Sequence, residues 1–316
     1  MNFIFKLKLL NAMIKYLKTV VIIGMTISIL GCEKLAETKW DGGTNNIIEV
    51  TSTNDDLSIF QAAVQKAAIT ESLKSRSPLT VFAPNNDAFT AFFNDLGVNG
   101  LDDISLDLLV NVISYHVIDA GIMSTNFFNG YIATFCEGPD YQGVSLLLSA
   151  ADSKLNATAR IIETDVMASN GVIHKIDKVL MPPTIVDILR QNGNFIHILE
   201  ALDKTQLDTL MAETGPYTFF APTDAAFAKF FTIKGVTGIA DIDSEVLLPI
   251  LQNHLVFGNI IKSDLGTRTI PTYNGSIEVE IGYYPMINHH ANLIGFDLQG
   301  YNGVVHVIDD ILSPNQ

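Results

Sequence analysis

Residues 80–93 read TVFAPNNDAFTAFF, and residues 218–231 read TFFAPTDAAFAKFF. The two phrases lie 138 residues apart, and the same offset carries GVNGLDDISLDLLVNVISYHV (97–117) onto GVTGIADIDSEVLLPILQNHL (235–255) without a gap. Further on, NGVIHKIDKVLMPP (170–183) answers NGVVHVIDDILSP (302–314) at an offset of 132, so the first copy is six residues longer between these blocks. A period this long, occurring twice, signals two tandem globular domains, because solenoid repeats are several-fold shorter. The seam falls at Met181-Pro182-Pro183, where two prolines bar helix continuation and ladder pairing. The expected domains are therefore 45–182 and 183–314, close enough in sequence to touch.

Each block has a local physical reading. TVFA is short, β-branched and aromatic and is halted by Pro84, which predicts a buried strand. Asn85 and Thr223 then occupy the same place, both good N-cap residues, and Asp87 and Asp224 put an acid in the first turn that follows. Phe89, Phe92 and Phe93 match Phe227, Phe230 and Phe231 at the i, i+3, i+4 spacing of one helix face, and are read as core. In the second block Ser105 and Asp243 align as N-caps. Pro249, which replaces Asn111, predicts a helix that starts later in the second copy or kinks there. In the third block Asn170-Gly171 and Asn302-Gly303 are hairpin signals. After each, a strand puts His174 on one face with Val172 and Ile176, and His306 with Val304 and Ile308.

A strand, a proline, a cap and a helix, then Tyr115-His116, then Asn-Gly-Val-x-His-x-Ile-Asp: in this order the chain resembles the fasciclin-like domain family. TVFAPNNDAF stands at the family's first motif, Tyr115-His116 at the central one, and NGVIHKIDKVLMP and NGVVHVIDDILSP at the second. The resemblance covers nearly all of residues 45–314. It implies an α+β fold class: two tandem fasciclin-like domains, each a wedge-like β-sandwich flanked by short helices. It also implies extracellular adhesion to cells, matrix or polysaccharide. The Tyr-His region of animal members is implicated in receptor binding, which carries over to Tyr115 and His116. In the second copy it reaches only His254, because Asn253 stands in the tyrosine's place.

The amino-terminal segment does not read as folded protein. Lys6, Lys8, Lys15 and Lys18 precede an apolar run, Val20 to Leu30, that is too short to span a bilayer and suits a secretory signal, with Met1 or Met13 as the start. The signal peptide (1–31) ends in ILGC, which resembles a lipoprotein lipobox and makes Cys32 the expected lipidation site. Cys136 is the only other cysteine, so a disulfide framework is not expected. Residues 32–44 form a short tether with a reach on the order of 20 Å. Without the signal, 15 Lys/Arg face 34 Asp/Glu, a balance that repels phosphate backbones and excludes nucleic acid as a partner.

No pattern of catalytic chemistry accompanies both copies. His116 with His254 and His174 with His306 lack carboxylate or cysteine neighbours at ligand spacing, so the histidines are read as structural, with no metal and no cofactor. DIDSE at 241–245 lacks the glycine and distal glutamate of a calcium loop, and His289-His290 near Glu278, Glu280 and Asp297 has no counterpart in the first copy. Tyr131, Tyr141, Tyr273, Tyr283, Tyr284 and Tyr301 fall in turn-rich stretches suited to sugar or protein contact. The sequence thus predicts a non-catalytic, lipid-anchored protein of the cell envelope, in the outer membrane of a Gram-negative bacterium. Its expected role is adhesion or recognition of a surface protein or polysaccharide. The alternative is an accessory glycan-capture lipoprotein of a nutrient uptake system.

Overall fold

The computed structural model of the chain describes residues 43–75, 78–212 and 215–314; the signal peptide, Cys32 and the tether as far as residue 42 lie outside the described residues. Each copy opens on a helix with a reciprocal cap. In α1 (Ile47–Ser52) Asn46 and Glu49 exchange side-chain and backbone hydrogen bonds, and in α6 (Ile185–Gln191) Thr184 and Asp187 do the same. The first domain continues through α2 (Ser58–Lys66), α3 (Thr70–Ser75), β1 (Leu79–Pro84), α4 (Asn86–Leu96), α5 (Leu106–Tyr115), β2 (Val117–Ile118), β3 (Gly130–Glu137), β4 (Gly143–Ser149), β5 (Lys154–Leu155), β6 (Ala159–Ala168) and β7 (Gly171–Ile176). After α6 the second domain repeats the order with α7 (Ile196–Thr205), α8 (Leu207–Ala212), β8 (Tyr217–Pro222), α9 (Asp224–Lys234), α10 (Ser244–Asn253), β9 (Leu255–Phe257), a short α11 (Lys262–Leu265), β10 (Arg268–Thr272), β11 (Gly275–Glu280), β12 (Met286–Ile287), β13 (Ala291–Gly300) and β14 (Gly303–Ile308).

The repeated phrase folds the same way twice. β1 and β8 are buried along their whole length. At the strand ends, the Asn85 side chain accepts from the Ala88 N–H at 2.9 Å and the Thr223 hydroxyl accepts from the Ala226 N–H at 3.3 Å. Both helices stop at a left-handed glycine, Gly97 at φ 67° and Gly235 at φ 68°. Phe89, Phe92, Phe227, Phe230 and Phe231 are buried as the helical spacing predicts, while Phe93 packs half-buried against the same core.

Two details differ from expectation. The Ser105 side chain caps α5, accepting from Leu108 N–H at 3.4 Å, but the aligned Asp243 makes no side-chain cap; only its carbonyl accepts, from Val246 and Leu247. Nor does α10 start late: it opens at Ser244, the counterpart of Leu106, and runs through Pro249. The N–H that proline lacks would have served Glu245, an exposed residue of the first turn where water can replace it, and the Pro249 carbonyl gains Asn274 Nδ2 at 3.1 Å.

Each domain carries a seven-stranded sheet, in the order β2-β1-β7-β6-β5-β4-β3 and β10-β11-β12-β13-β14-β8-β9. The fold is α+β. β1 runs parallel to β7 and β8 parallel to β14, and all other pairs are antiparallel. β6 and β13 each slip register twice along their partner strand, and such bulges bend a sheet so that its two halves face one another. Alternation along β1 then serves two cores. Leu79, Val81 and Ala83 join the helices, while Phe82 joins Leu146, Leu148 and Ile176 between the sheet halves. The second domain has the same pair of cores, with Phe219 and Ala221 toward the helices and Phe220 toward Ile277, Val279 and Ile308. Among the described residues four hydrophobic clusters result, two per domain.

The hairpin signals work by a different route from the one expected. The residues linking β6 to β7 are Ser169 and Asn170, and Gly171 is already the first residue of β7, paired with Ala168. Glycine is required there because a Cβ would lie 2.2 Å from the Leu79 carbonyl oxygen, and at Gly303 2.1 Å from that of Tyr217. The preceding asparagines tie helices to sheet: Asn170 accepts from Ile47 N–H at 2.9 Å and donates to the Leu73 carbonyl at 2.6 Å, and Asn302 does the same with Ile185 and Met211.

The two domains lie in one compact unit and touch through the longer hairpin of the first copy. The β3–β4 turn spans residues 138–142, against two residues between β10 and β11, and the extra length reaches the second domain. Ser145 Oγ accepts from Gln299 N–H at 2.9 Å, the Pro139 carbonyl accepts from Asn259 Nδ2 at 3.2 Å, and Tyr131 packs against the second helical core with its hydroxyl 3.3 Å from Asn192 Nδ2.

Candidate functional site

Tyr115 and His116 end α5, and the structure places both in the interior. Each is fully buried. The Tyr115 hydroxyl donates to the Ser145 carbonyl at 2.9 Å and accepts from Asn156 Nδ2 at 2.9 Å, and burial pushes its ionisation well above the usual phenol range. His116 Nδ1 lies 2.7 Å from the Val112 carbonyl, which can only accept, and Nε2 lies 2.9 Å from the Leu180 N–H, which can only donate. The ring is therefore a neutral Nδ1–H tautomer. His254 repeats it with Ile250 at 2.8 Å and Leu312 at 3.0 Å. Burial lowers both imidazoles to about 4. These positions correct the reading of Tyr115, His116 and His254 as a contact surface: a side chain with no accessible surface cannot meet a partner while the domain is folded.

His174 and His306 have the opposite tautomer. Nε2 of His174 donates to the Ile122 carbonyl at 2.8 Å and Nδ1 accepts from Asp165 N–H at 3.1 Å; for His306 the partners are Ile260 at 2.8 Å and Asp297 at 3.3 Å. Phe82 and Phe127 pack on the first ring, Phe220 and Phe296 on the second, and burial lowers the pKa of both. The sequence singled out these histidines but not Asp165, and it placed Asp297 beside His289-His290 instead of His306. Asp165 and Asp297 sit in the left-handed region at φ 60° and 58°, offering N–H to the ring while the carboxylate receives the backbone N–H of Ser124 at 2.8 Å or Lys262 at 2.7 Å. Thr80 and Thr218 bridge the same crossing segments, donating to Ala120 or Gly258 and accepting from Ile122 or Ile260. The signal that could have found the aspartates is their own 132-residue repeat, one position before Val166 and Leu298.

Two copies of one sheet-and-helix unit, each with the same four buried imidazole partners and the same strand-cap-helix corner, identify the architecture. The fasciclin domain model matches residues 55–182 and again 193–314. The chain belongs to the fasciclin domain family. It is 38% identical over 138 residues to Synechocystis protein sll1483, which covers 43% of this chain and 73% of that protein. To the pig transforming growth factor-beta-induced protein ig-h3 it is 28% identical over 245 residues, 75% of this chain but 35% of the relative's length. A solved fasciclin domain pair from the insect cell adhesion molecule fasciclin I covers 83% of this chain and 98% of its own, at 21% identity and a TM-score of 0.49. The fasciclin matches begin after α1 and α6, yet Ile47 and Ile185 are fully buried parts of their domains' cores.

The remaining candidates sort by exposure. Tyr131 and Tyr301 are interface residues: Tyr131 lies within β3, and the Tyr301 hydroxyl is 3.1 Å from Asn111 Nδ2 of the first domain. Tyr141 is 85% exposed, Tyr283 90% and Tyr284 70%, the last two in edge contact at 4.7 Å on the turn before β12. Tyr273 stacks on Phe257. His289 lies between Glu278 at 3.2 Å and Glu280 at 3.1 Å, whereas Asp297 is at the His306 clasp, and no group of three ligating side chains able to hold a metal occurs among the described residues. Asp241 closes its own loop by accepting from Thr237 N–H at 2.8 Å. Cys136 is buried within β3, and burial pushes its thiol up to about 12, which removes it as a nucleophile. Among the described residues no helix is long and apolar enough to cross a membrane.

Proposed function

We propose that this fasciclin chain is a non-catalytic adhesion or recognition protein, held by lipid on Cys32 to the cell envelope, in the outer membrane of a Gram-negative bacterium, and binding a surface protein or polysaccharide. The observation that carries the proposal is membership of both halves in the fasciclin domain family, the family whose resemblance implies extracellular adhesion. The lipobox-like ILGC before Cys32 supports the anchor. The histidines shared by both copies are consumed by backbone partners, which supports a role without turnover. The exposed Tyr141, Tyr283 and Tyr284 favour a second reading, an accessory glycan-capture protein beside a nutrient transporter, because flat rings suit sugar faces.

The test uses cells displaying the full chain. The wild-type protein is expected to take up labelled palmitate, to sediment with membranes and to retain a surface partner in a pull-down from intact cells, while Cys32→Ala loses the label and the membrane association. A wild-type chain that takes up no label would remove the anchor, and one that retains nothing from intact cells would remove the recognition role.

A further inference from the structure

Tyr115 of the first domain and Asn253 of the second occupy one structural position with different consequences. Tyr115 fills the space between α5 and the β5–β6 turn, where Asn156, at φ 47°, donates to its hydroxyl and accepts from Leu147 N–H at 3.0 Å. The second domain keeps the turn: Asn288, at φ 51°, accepts from Glu278 N–H at 2.8 Å. It does not keep the tyrosine. Asn253 is too short to reach the turn, and its amide is satisfied by Thr272 Oγ1 at 3.0 Å and the Leu312 carbonyl at 3.2 Å. Asn288 itself is half-buried. Beside it opens a cavity of about 470 Å³ whose walls include Asn253, Asn274, Ser276, Glu278, His289 and Ser313.

The chemistry of these walls selects a ligand class. Hydroxyl and amide groups offer donors and acceptors together, and large apolar side chains are missing from the lining, so an apolar guest would gain little. An anion would find no lysine or arginine there, in a chain of formal net charge −15. Glu278 and His289 in the lining lie 3.2 Å apart and are engaged with each other. The volume lies within the ordinary range of small-molecule sites, roughly 300–1,000 Å³. We propose that this pocket, present in the second domain and closed by Tyr115 in the first, binds a small neutral polyhydroxylated ligand, a saccharide unit. The proposal rests on the recognition role above and narrows it to one domain and one ligand chemistry.

Saturation-transfer NMR on the full chain, with glucose, galactose, mannose, N-acetylglucosamine and cellobiose as probes, tests it. At least one of these neutral sugars is expected to bind, and Asn253→Tyr, which installs the first domain's plug, is expected to weaken binding by about tenfold or more in a chain that keeps its far-UV circular dichroism. Should that variant fail to fold, Glu278→Gln carries the test, because this side chain is 63% exposed and its loss leaves the packing intact; the same direction of effect is expected. Absence of signal from every probe, or binding indifferent to the substitution, overturns the pocket. The intact-cell pull-down keeps the two proposals apart. Cell-surface capture without any sugar signal sinks the pocket alone, whereas sugar binding by a chain that captures nothing from cells sinks the recognition role alone.

Discussion

Neutral imidazole is the form that each buried histidine's neighbours can accommodate, since one ring nitrogen of each faces a backbone N–H and would clash with it once protonated. His116 and His254 are held at about 4 by burial, and His174 and His306 are lowered in the same direction, burial outweighing the nearby Asp165 and Asp297 carboxylates. In the unfolded chain these rings take up protons below about pH 6.5. Between pH 6.5 and 4 the unfolded state therefore binds more protons than the folded one, and stability, complete above that window, falls as the pH drops through it. For His116 and His254 the loss is on the order of 3 kcal/mol each at the lower end. Urea denaturation at steps from pH 7 to 4 should show this decline, and a flat profile would refute the assigned tautomers. His174→Ala and His306→Ala each strand an N–H and a carbonyl, with an expected cost of about 2–4 kcal/mol at pH 7 and a lower melting temperature. Variants that keep their melting temperature would show that the clasp is not structural.

At the scale of elements, the strand-cap-helix corner was legible because its determinants are local: Pro84 and Pro222 end the strands, and a side chain three residues back satisfies an N–H that the helix cannot. Asn85→Ala and Thr223→Ala are each expected to cost about 1 kcal/mol, with Asn85→Ser or Thr223→Ser near neutral. Equal melting curves for the alanine and serine variants would mean that the caps contribute nothing. The β3–β4 hairpin was not legible in the same way. Its extra residues could be counted from the change of offset, but nothing in their own composition says that they lie against another domain. Asp243 and Pro249 make a similar point: the exposed Asp243 makes no side-chain cap, and Pro249 sits within α10 because the N–H it lacks would have served only an exposed first-turn carbonyl.

On the scale of the whole molecule, the domain contact is set by close backbone approach. A Cβ at Gly138 would come within 2.7 Å of the Gly300 carbonyl oxygen, so Gly138→Val should push the domains apart. Small-angle scattering should then report a larger radius of gyration while far-UV circular dichroism is unchanged; an unaltered radius would mean that the hairpin is not what holds the pair. Of the candidate site, the sequence read His174 and His306 as structural but also offered Tyr115, His116 and His254 as contact residues; it named Asp297 only beside His289-His290, and it passed over Asp165 and the bridging roles of Thr80 and Thr218. By itself the sequence determined the duplication, the order of strand, cap, helix and hairpin in each copy, and the buried faces, because each of these is carried by periodicity or by a contact within a few residues. Only the tertiary structure decided that the Tyr-His pair faces inward, that a first-domain hairpin grips the second domain, and that asparagine in place of tyrosine opens a pocket. Those outcomes depend on groups 30 to 154 residues apart arriving at one point, and no local pattern of residue types encodes such a meeting.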